Sequence, residues 1–199
     1  KNGFTSFTVE FYGASQRVTV PTVGIHNVYD ALAAFAVGYE MRMEPRKIAA
    51  GLKSFAPSGM RQRIKKVGGI TVIEDCYNAS PDSQKAALDV LSSFKSNRRI
   101  AVLGDMLELG KYSDVSHENV GKYTENKNID ILFTYGEKAK HIAEGAKGFV
   151  DEIKSFDDKT ELVKALLETL KDGDAVLFKA SRGMKLEDVI NSLYREWEE

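Results

Sequence analysis

Residues 70–94 read ITVIEDCYNASPDSQKAALDVLSSF and contain one apolar run, one polar loop and one amphipathic segment. The run Ile70–Ile73 is rich in β-branched residues and predicts a strand. Ser80 and Pro81 are typical of a helix start, and the residues up to Phe94 predict a helix. The same order, a short apolar strand followed by a helix, continues to the end of the chain.

The alternation downstream of this unit indicates the fold class. Further strands are predicted at 100–103, 131–134, 150–153 and 175–178, and helices near 114–127, 137–146, 158–171 and 184–197. Alternating strands and helices favour an α/β fold with a Rossmann-like, mostly parallel sheet covered by helices on both faces. Ligands of such sheets usually bind beyond the carboxyl ends of the strands. Upstream, Gly68-Gly69 separates two apolar runs and predicts a hairpin.

The first part of the chain is organised differently. Alternation over 4–11, a glycine-containing turn at 13–15 and a second run at 17–20 predict a β-hairpin. The alanine-rich segment 28–41 predicts a buried helix, and a short helix is predicted over 45–52.

The segment Phe55–Gly59 is the best candidate for a linker, because it combines Pro57, Ser58 and Gly59. We therefore expect two domains, 1–57 and 58–199, with a hinge between them. The chain starts at Lys1 without a methionine and runs directly into strand-like sequence, so we expect an excised segment.

Composition limits the function classes. The 199 residues carry a net charge of −1, which gives no broad basic field that would favour nucleic acid or an anionic membrane. A single cysteine excludes an internal disulfide and fits a reducing cytoplasm. No apolar run approaches the roughly 20 residues that cross a bilayer, and we expect no signal peptide.

Four polar clusters lie at predicted strand ends or helix starts, and the first two are carried by Asn27 and by Glu74-Asp75. Asn27 precedes a helix and reads either as its N-cap or as a ligand residue; the cap is the commoner role. The paired carboxylates could bind a metal, accept from ribose hydroxyls or hold a lysine. Because neighbouring strand residues face opposite sides, one site uses one of them, and Asp75 is nearer the loop. A solvated strand end is the alternative.

The other two clusters are Gly104–Gly110 and Lys179–Gly183. The first is similar to a phosphate-binding loop, but its glycines enclose five residues and Tyr112 stands where Ser or Thr is required, so we exclude phosphate binding there. In the second, two cations and a hydroxyl at a helix start suit a carboxylate or phosphate, which Arg182 can clamp through two nitrogens. Solvated loops are the alternative for both.

Two further residues have chemistry that needs an interpretation. His117 has no metal-like partner at ligand spacing, so we expect a surface or capping residue and no metal site. Cys76 has no base nearby in the sequence, so we expect a packing residue rather than a nucleophile.

Together the strings are more specific than any one of them, and they resemble the Mur ligases. Residues 24–34, GIHNVYDALAA, resemble the segment that closes the central ATP-binding domain of that family, and Ser58–Arg61 resembles the start of its C-terminal domain. The strings Glu74–Pro81, Gly104–Gly110 and Lys179–Arg182 occur in the order found in the branch that adds D-alanyl-D-alanine.

The resemblance implies ATP-dependent amide formation in cytoplasmic peptidoglycan synthesis, with ATP and Mg²⁺ as cofactors. A carboxylate of UDP-N-acetylmuramoyl-tripeptide would take the γ-phosphoryl group, and the amine of D-alanyl-D-alanine would displace phosphate from the acyl phosphate. Residues 1–57 would be the C-terminal remnant of the ATP-binding domain, and residues 58–199 the Mur ligase C-terminal domain.

Site residues follow from the resemblance by position. Four residues would meet the nucleotide: Asn27, Arg61, Asp75 and Asn78. Five residues would meet the dipeptide: Asp105, Glu108, Lys179, Ser181 and Arg182.

Two positions depart from the family pattern. Asp30 stands in place of the second Asn of His-Asn-x-x-Asn, and an ionised Asp can only accept hydrogen bonds, which makes it a doubtful adenine ligand. Ala180 stands in place of the Gly of Lys-Gly-Ser-Arg, which would matter if that residue needed a positive φ.

The sequence contains no Gly-x-x-x-x-Gly-Lys-Ser/Thr segment, so we expect the chain alone to lack ligase activity. The missing N-terminal and central domains of the same enzyme would supply the phosphate grip and the UDP site. One alternative is a relative such as folylpolyglutamate or cyanophycin synthetase, against which Tyr77-Asn78-Ala79 argues. Another is a non-catalytic domain that binds a small peptide or a partner.

Overall fold

The computed structural model describes residues 3–57 and 59–198. The chain divides into two compact units, 1–58 and 59–199. The predicted linker Phe55–Gly59 includes Ser58, which lies outside the described residues, so the hinge stays a prediction. None of the helices in the described ranges combines the length and hydropathy of a membrane span.

The first unit begins with a β-hairpin. Strands β1 (Thr5–Phe11) and β2 (Ala14–Val20) pair antiparallel. Tyr12 and Gly13 connect them with φ of 45° and 78°, the left-handed conformation of a tight two-residue turn. The predicted hairpin is confirmed, with a turn shorter than the sequence suggested.

Two helices complete this unit, α1 (Ile25–Glu40) and α2 (Pro45–Lys53). Helix α1 buries a single stripe, Ala31, Phe35 and Gly38, whereas several of its large apolar side chains are exposed. The predicted burial of the whole helix is therefore wrong, because the alanine-rich composition hid a one-sided helix. The core of the unit consists of Val9, Val18, Val20, Ala31, Phe35 and Ile48.

The second unit alternates strands and helices as predicted. Its strands are β3 (Arg63–Val67), β4 (Ile70–Glu74), β5 (Arg99–Gly104), β6 (Ile131–Tyr135), β7 (Glu152–Phe156) and β8 (Ala175–Lys179). Its helices are α3 (Pro81–Ser93), α4 (Ser113–Lys122), α5 (Lys140–Ala146), α6 (Lys159–Thr169) and α7 (Glu187–Glu198). The sheet has the order β3-β4-β8-β5-β6-β7, with β3 antiparallel to β4 and all other pairs parallel. The predicted fold class is confirmed.

Apolar residues on both sides of the strands explain the two layers of helices. Val72, Val102 and Phe178 pack in one cluster with residues of α6 and α7. The adjacent residues Ile73 and Leu177 are also fully buried. They point to the opposite face of the sheet, where α3, α4 and α5 pack.

Several element boundaries differ from the sequence expectation. Strand β7 covers Glu152–Phe156 instead of 150–153, because Val150 packs in the core ahead of the strand while the edge strand itself is half exposed. Helix α4 ends five residues before the expected 127, and α5 and α7 each start three residues later than expected. Residues 137–139 form a turn before α5, and a short 3-10 helix, Arg182–Met184, lies between β8 and α7; both segments contribute to the site described below.

The strand order positions those loops. Strands β4, β8 and β5 are neighbours, so their carboxyl ends and the loops that follow meet at one edge of the sheet. Ser80 then starts α3: its hydroxyl accepts a hydrogen bond from the Ser83 amide, and Pro81 is the first helical residue. The predicted helix start is confirmed.

Candidate functional site

An ion pair joins the carboxyl ends of β4 and β8. Lys179 Nζ lies 2.8 Å from Asp75 Oδ2, and it also donates to the carbonyls of Asn78 at 3.1 Å and Asp75 at 3.4 Å. These three acceptors match the three N–H bonds of an ammonium group. Lys179 is only 2% exposed. Its side chain is therefore committed to the β4 loop, which differs from the substrate contact expected from the sequence.

The second oxygen of Asp75 has its own partner. Oδ1 accepts a hydrogen bond from the Gln62 amide at 3.2 Å, and Gln62 adopts a φ of 49° just before β3. The Asp75 side chain is 20% exposed. Of the three roles that the sequence left open for this carboxylate, the structure shows a bound lysine, with part of the group still facing solvent.

Glu74 lies on the other side of the strand. It is fully buried; Tyr194 donates its hydroxyl to Oε1 at 2.6 Å, and Lys65 Nζ lies 2.8 Å from the same oxygen. Burial, followed by the bond to Glu74, raises the pKa of Tyr194. The prediction that the two carboxylates face opposite sides is confirmed, and Glu74 fastens α7 to the sheet.

Arg61 and Tyr77 extend the corner around Asp75. The guanidinium of Arg61 stacks on the Tyr77 ring, 4.0 Å from its centroid, and the Tyr77 amide donates to the Met60 carbonyl at 3.2 Å. Asn78 is exposed, and its Oδ1 accepts from the Ala79 amide at 2.9 Å. The three nucleotide candidates of this unit, Arg61, Asp75 and Asn78, thus belong to one network, in which the stacked ring orients the cation.

Ser181 links the loops after β4, β5 and β8. Its Oγ accepts from the Leu107 amide at 2.9 Å and donates to the Ala79 carbonyl at 3.4 Å, while its own amide donates to the Asp105 carbonyl at 3.0 Å. The residue is buried. Its hydroxyl therefore supports the loops instead of facing a ligand.

Asp105 is also turned inward. Its Oδ1 accepts from the Ala139 amide at 2.7 Å, in the loop before α5. Gly136 makes this possible, because it has a φ of 109° and a Cβ there would lie 2.5 Å from Asp105 Oδ1. Asp105 thus joins the loops after β5 and β6, and the structure offers no support for the predicted contact with substrate.

His117 is a site residue whose environment the sequence analysis got wrong. It is fully buried, its Nε2 accepts from the Met106 amide at 2.9 Å and its Nδ1 donates to the Ser113 carbonyl at 2.7 Å. This pattern requires a neutral ring, and burial lowers the pKa. The sequence feature that could have predicted its burial is its position three residues before Val120, on the buried face of α4.

Glu108 and Arg182 are the two dipeptide candidates that face solvent. Arg182 keeps 60% of its side chain exposed and pairs with Glu187 at 2.9 Å. Glu108 is exposed with a φ of 67°. Their loops touch, since a Cβ at Gly183 would lie 2.8 Å from Leu107 Cδ1. A cation, a carboxylate and an apolar side chain are therefore available along this edge.

The departure at Ala180 has a packing explanation. Ala180 is not among the residues with positive φ, so no glycine is needed there. A Cβ at Gly104 would come within 2.7 Å of the Ala180 Cβ. Gly104 is thus the residue that has to be small where β5 and β8 lie side by side.

Asn27 belongs to the first unit. Helix α1 begins at Ile25, so Asn27 is its third residue and the N-cap interpretation is wrong. The Asn27 Nδ2 donates to the Val23 carbonyl at 2.9 Å and lies 3.0 Å from His26 Nε2. Asp30 is exposed and lies beyond the first turn of α1.

Cys76 lies two residues after the end of β4. Cys76 is fully buried, its Sγ lies 3.5 Å from Met60 Sδ, and burial raises its pKa to about 12. The packing role is confirmed.

Across residues 3–57 and 59–198, no three His, Cys, Asp or Glu side chains come together as metal ligands would.

Most of the second unit matches the model of a known protein family. The model described as Mur ligase, glutamate ligase domain, matches residues 60–182, more than half of the chain. The chain belongs to the Mur ligase family. The resemblance inferred from the sequence is confirmed, and the match contains every element of the sheet edge around Asp75 and Arg182.

Curated Mur ligases extend the similarity over nearly the whole chain. The UDP-N-acetylmuramoyl-tripeptide–D-alanyl-D-alanine ligase of Bacillus subtilis is 41% identical over 193 residues, covering 95% of this chain and 42% of the relative. The enzyme of the same name from Haemophilus influenzae is 36% identical over 95% of this chain and 42% of its own length. The chain spans about two fifths of the length of these relatives.

Solved structures of Mur ligases are similar to this chain over nearly its whole length. MurF from Acinetobacter baumannii superposes with a TM-score of 0.86 at 26% identity, covering 98% of this chain and 43% of that one. MurF from Thermotoga maritima, solved in complex with ADP, gives a TM-score of 0.84 at 25% identity, covering all of this chain and 45% of that one.

Proposed function

We propose that this chain is part of an ATP-dependent ligase that joins D-alanyl-D-alanine to UDP-N-acetylmuramoyl-tripeptide in peptidoglycan synthesis. The observation that carries the proposal is the sheet edge where Arg61, Asp75 and Arg182 keep exposed, charged groups while the polar residues between them are buried and bonded internally. The similarity to ligases of that specificity supports it.

In the proposed reaction, ATP supplies the phosphoryl group that activates the tripeptide carboxylate, with Mg²⁺ neutralising charge. The partly exposed Asp75 side chain suits a ribose hydroxyl, and the stacked guanidinium of Arg61 suits a phosphate oxygen. Asn78 would lie at the same edge of the nucleotide. These residues fit such a ligand, because all three have polar side chains, with Arg61 and Asn78 exposed and Asp75 partly exposed.

The second half of the reaction needs the dipeptide held as a neutral amine. Its nitrogen bonds to the carbonyl carbon, the bond from that carbon to the phosphate oxygen breaks, phosphate leaves, and the nitrogen loses its proton to solvent. We assign Arg182 to the dipeptide carboxylate, because its planar fork can bind both oxygens. Glu108 would face the dipeptide from the neighbouring loop. Asp105, Lys179 and Ser181 would hold these loops without contacting the substrate.

The first unit has its own place in the proposal. Residues 1–57 would close the ATP-binding domain, with Asn27 directed to the adenine. The missing N-terminal and central domains of the relatives would supply the triphosphate grip and the UDP site, in agreement with the two fifths of their length that this chain covers.

The test is a ligation assay with the complete enzyme that includes this chain. ATP, UDP-N-acetylmuramoyl-tripeptide and D-alanyl-D-alanine should give ADP, phosphate and a pentapeptide product of the expected mass. Ligation of glutamate to a folate instead would support the folylpolyglutamate alternative. Binding of a peptide without any ATP turnover would support a non-catalytic role.

A further inference from the structure

Lys179 has contacts that the proposed reaction does not use directly. It is the last residue of β8, and the register pairs Glu74 with Phe178, so Asp75 and Lys179 are the next positions on adjacent parallel strands. We propose that Lys179 is a positioning residue that holds the Asp75 carboxylate, at the start of the 75–78 turn, in the orientation that receives the nucleotide. The proposal rests on the proposed function and deepens it.

The geometry of the ammonium group carries this assignment. Its bonds reach the Asp75 side chain and two carbonyls three residues apart, Asp75 and Asn78, so a single group fixes both ends of the turn. Because these bonds can occupy all three N–H groups and Lys179 is 2% exposed, no donor remains for a dipeptide carboxylate. The lysine therefore acts through Asp75.

Lys179 orients the Asp75 carboxylate and leaves its oxygens able to accept further hydrogen bonds. Lys179 uses Oδ2 and the Gln62 amide uses Oδ1, which fixes the plane of the carboxylate. Each carboxylate oxygen can accept a further hydrogen bond, and the Asp75 side chain is 20% exposed. Asp75 can thus accept from a ribose hydroxyl while it is held from behind, so the nucleotide does not have to order it.

The adjacent carboxylate offers a matched control. Lys65 Nζ also lies 2.8 Å from its partner, Glu74, but on the opposite face of β4, beside α7. A lysine-to-methionine change at either position removes an ammonium group and keeps an unbranched apolar side chain. Only the change at Lys179 should alter the turn that carries Asp75.

The experiment uses the complete enzyme with four variants: Lys179→Met, Lys65→Met, Asp75→Asn and the double variant Asp75→Asn/Lys179→Met. Calorimetry gives the Kd for ADP, steady-state kinetics gives the KM for D-alanyl-D-alanine, and thermal melting checks folding. We expect Lys179→Met to weaken ADP at least tenfold while the dipeptide KM stays within twofold. Lys65→Met should lower Tm and leave the Kd for ADP within twofold.

The double variant decides how Lys179 acts. If it works through Asp75, adding Lys179→Met to Asp75→Asn weakens ADP no further. This comparison also covers a Lys179→Met variant that fails to fold, because the double variant leaves neither charge without its partner. A further tenfold loss of ADP affinity in the double variant would overturn the proposal.

Two other outcomes would also contradict the positioning role of Lys179. They distinguish a failure of that role from a failure of the proposed function. A tenfold rise in dipeptide KM with unchanged ADP binding in Lys179→Met would make Lys179 an acceptor residue, and the ligase assignment would stand. Unchanged ADP binding in Asp75→Asn would remove Asp75 from the nucleotide site, and both the positioning role and that part of the proposed function would fail.

Discussion

Glu74 and Asp75 are neighbours in the chain with the same charge and a lysine partner each, but their surroundings differ. Glu74 is fully buried between β4 and α7, bonded to Tyr194 and Lys65. Asp75 stands one residue further, just beyond the end of the strand, with its side chain 20% exposed. The alternation of a strand sends one carboxylate to the packing of a helix and the other to the ligand edge.

The two carboxylates have different roles. Glu74 pairs with Lys65 of β3 and accepts the Tyr194 hydroxyl of α7, so its removal should affect stability alone. At Asp75 the pair holds a group that still has an exposed face, so its removal should affect binding as well. Predictions on the two residues therefore differ in kind.

The largest expected effect is on the stability of Glu74→Gln. Removing one partner of a buried ion pair typically costs about 3–5 kcal/mol. We expect about 3 kcal/mol of unfolding free energy, the lower end of that range, because Lys65 is 37% exposed and can turn to solvent. Denaturation would measure the loss, and the KM for ATP should not change. Glu118→Gln, at an exposed carboxylate paired with Lys122, is the control and should leave the transition in place. A shifted KM for ATP would contradict the division between the two carboxylates.

The next effect is catalytic, in Asp75→Asn. Loss of a charge-assisted hydrogen bond to the nucleotide costs about 1.5–3 kcal/mol, or roughly 10- to 150-fold in kcat/KM for ATP. Sequence alone places Asp75 at a partly exposed strand end, where the change would leave folding almost unchanged. The ion pair with buried Lys179 revises that expectation, since Lys179 would keep a charge without a partner. Tm should therefore fall as well, and kinetics at a temperature well below Tm separates the two effects. An unchanged kcat/KM would place the nucleotide elsewhere.

The comparison also shows what the sequence could predict. The segment from β4 to the start of α3 could be predicted from the sequence. Its apolar run, its two carboxylates and Ser80-Pro81 are local signals that tertiary packing did not override. Strict alternation along the strand was enough to separate Glu74 from Asp75. The parallel sheet followed from the repeated order of strands and helices.

The orientation of Lys179 could not be predicted in the same way. Strand β8 comes last in the chain but inserts between β4 and β5, so its partners are more than 70 residues away in sequence. A lysine in a loop suggests a ligand contact until that insertion places Asp75 beside it. The partners of His117 and Asp105 could not be predicted for the same reason, because they are amides of loops that only the fold brings close.

A moderate effect is expected for Arg182→Lys, which extends the comparison to an exposed cation. Arg182 is open to solvent where Lys179 is buried, so it can reach a dipeptide carboxylate. Lysine keeps the charge and loses the planar fork, and we expect the KM for D-alanyl-D-alanine to rise about fivefold, roughly 1 kcal/mol, with little change for ATP. Steady-state kinetics with each substrate varied in turn would measure this. An equal rise in both KM values would point to folding rather than recognition.

The smallest effect concerns pH and the buried His117, which supports the ligand edge as Glu74 supports α7. Its ring must be neutral to accept the Met106 amide, and burial lowers its pKa below the unfolded value of about 6.5. The stabilisation is therefore complete above that unfolded pKa and is lost as pH falls through the lower folded pKa. The charged groups that act on the ring are Asp105, Asp114 and His141. His117→Gln cannot be protonated, so its Tm should fall less than that of the unchanged protein between pH 7.5 and pH 5, by an amount worth about 1 kcal/mol, the net value of one hydrogen bond. The partly exposed His141 makes the matched control, and His141→Gln should keep the original pH dependence. Identical pH profiles for His117→Gln and the unchanged protein would show that the ring does not hold the loop after β5 through its neutral form.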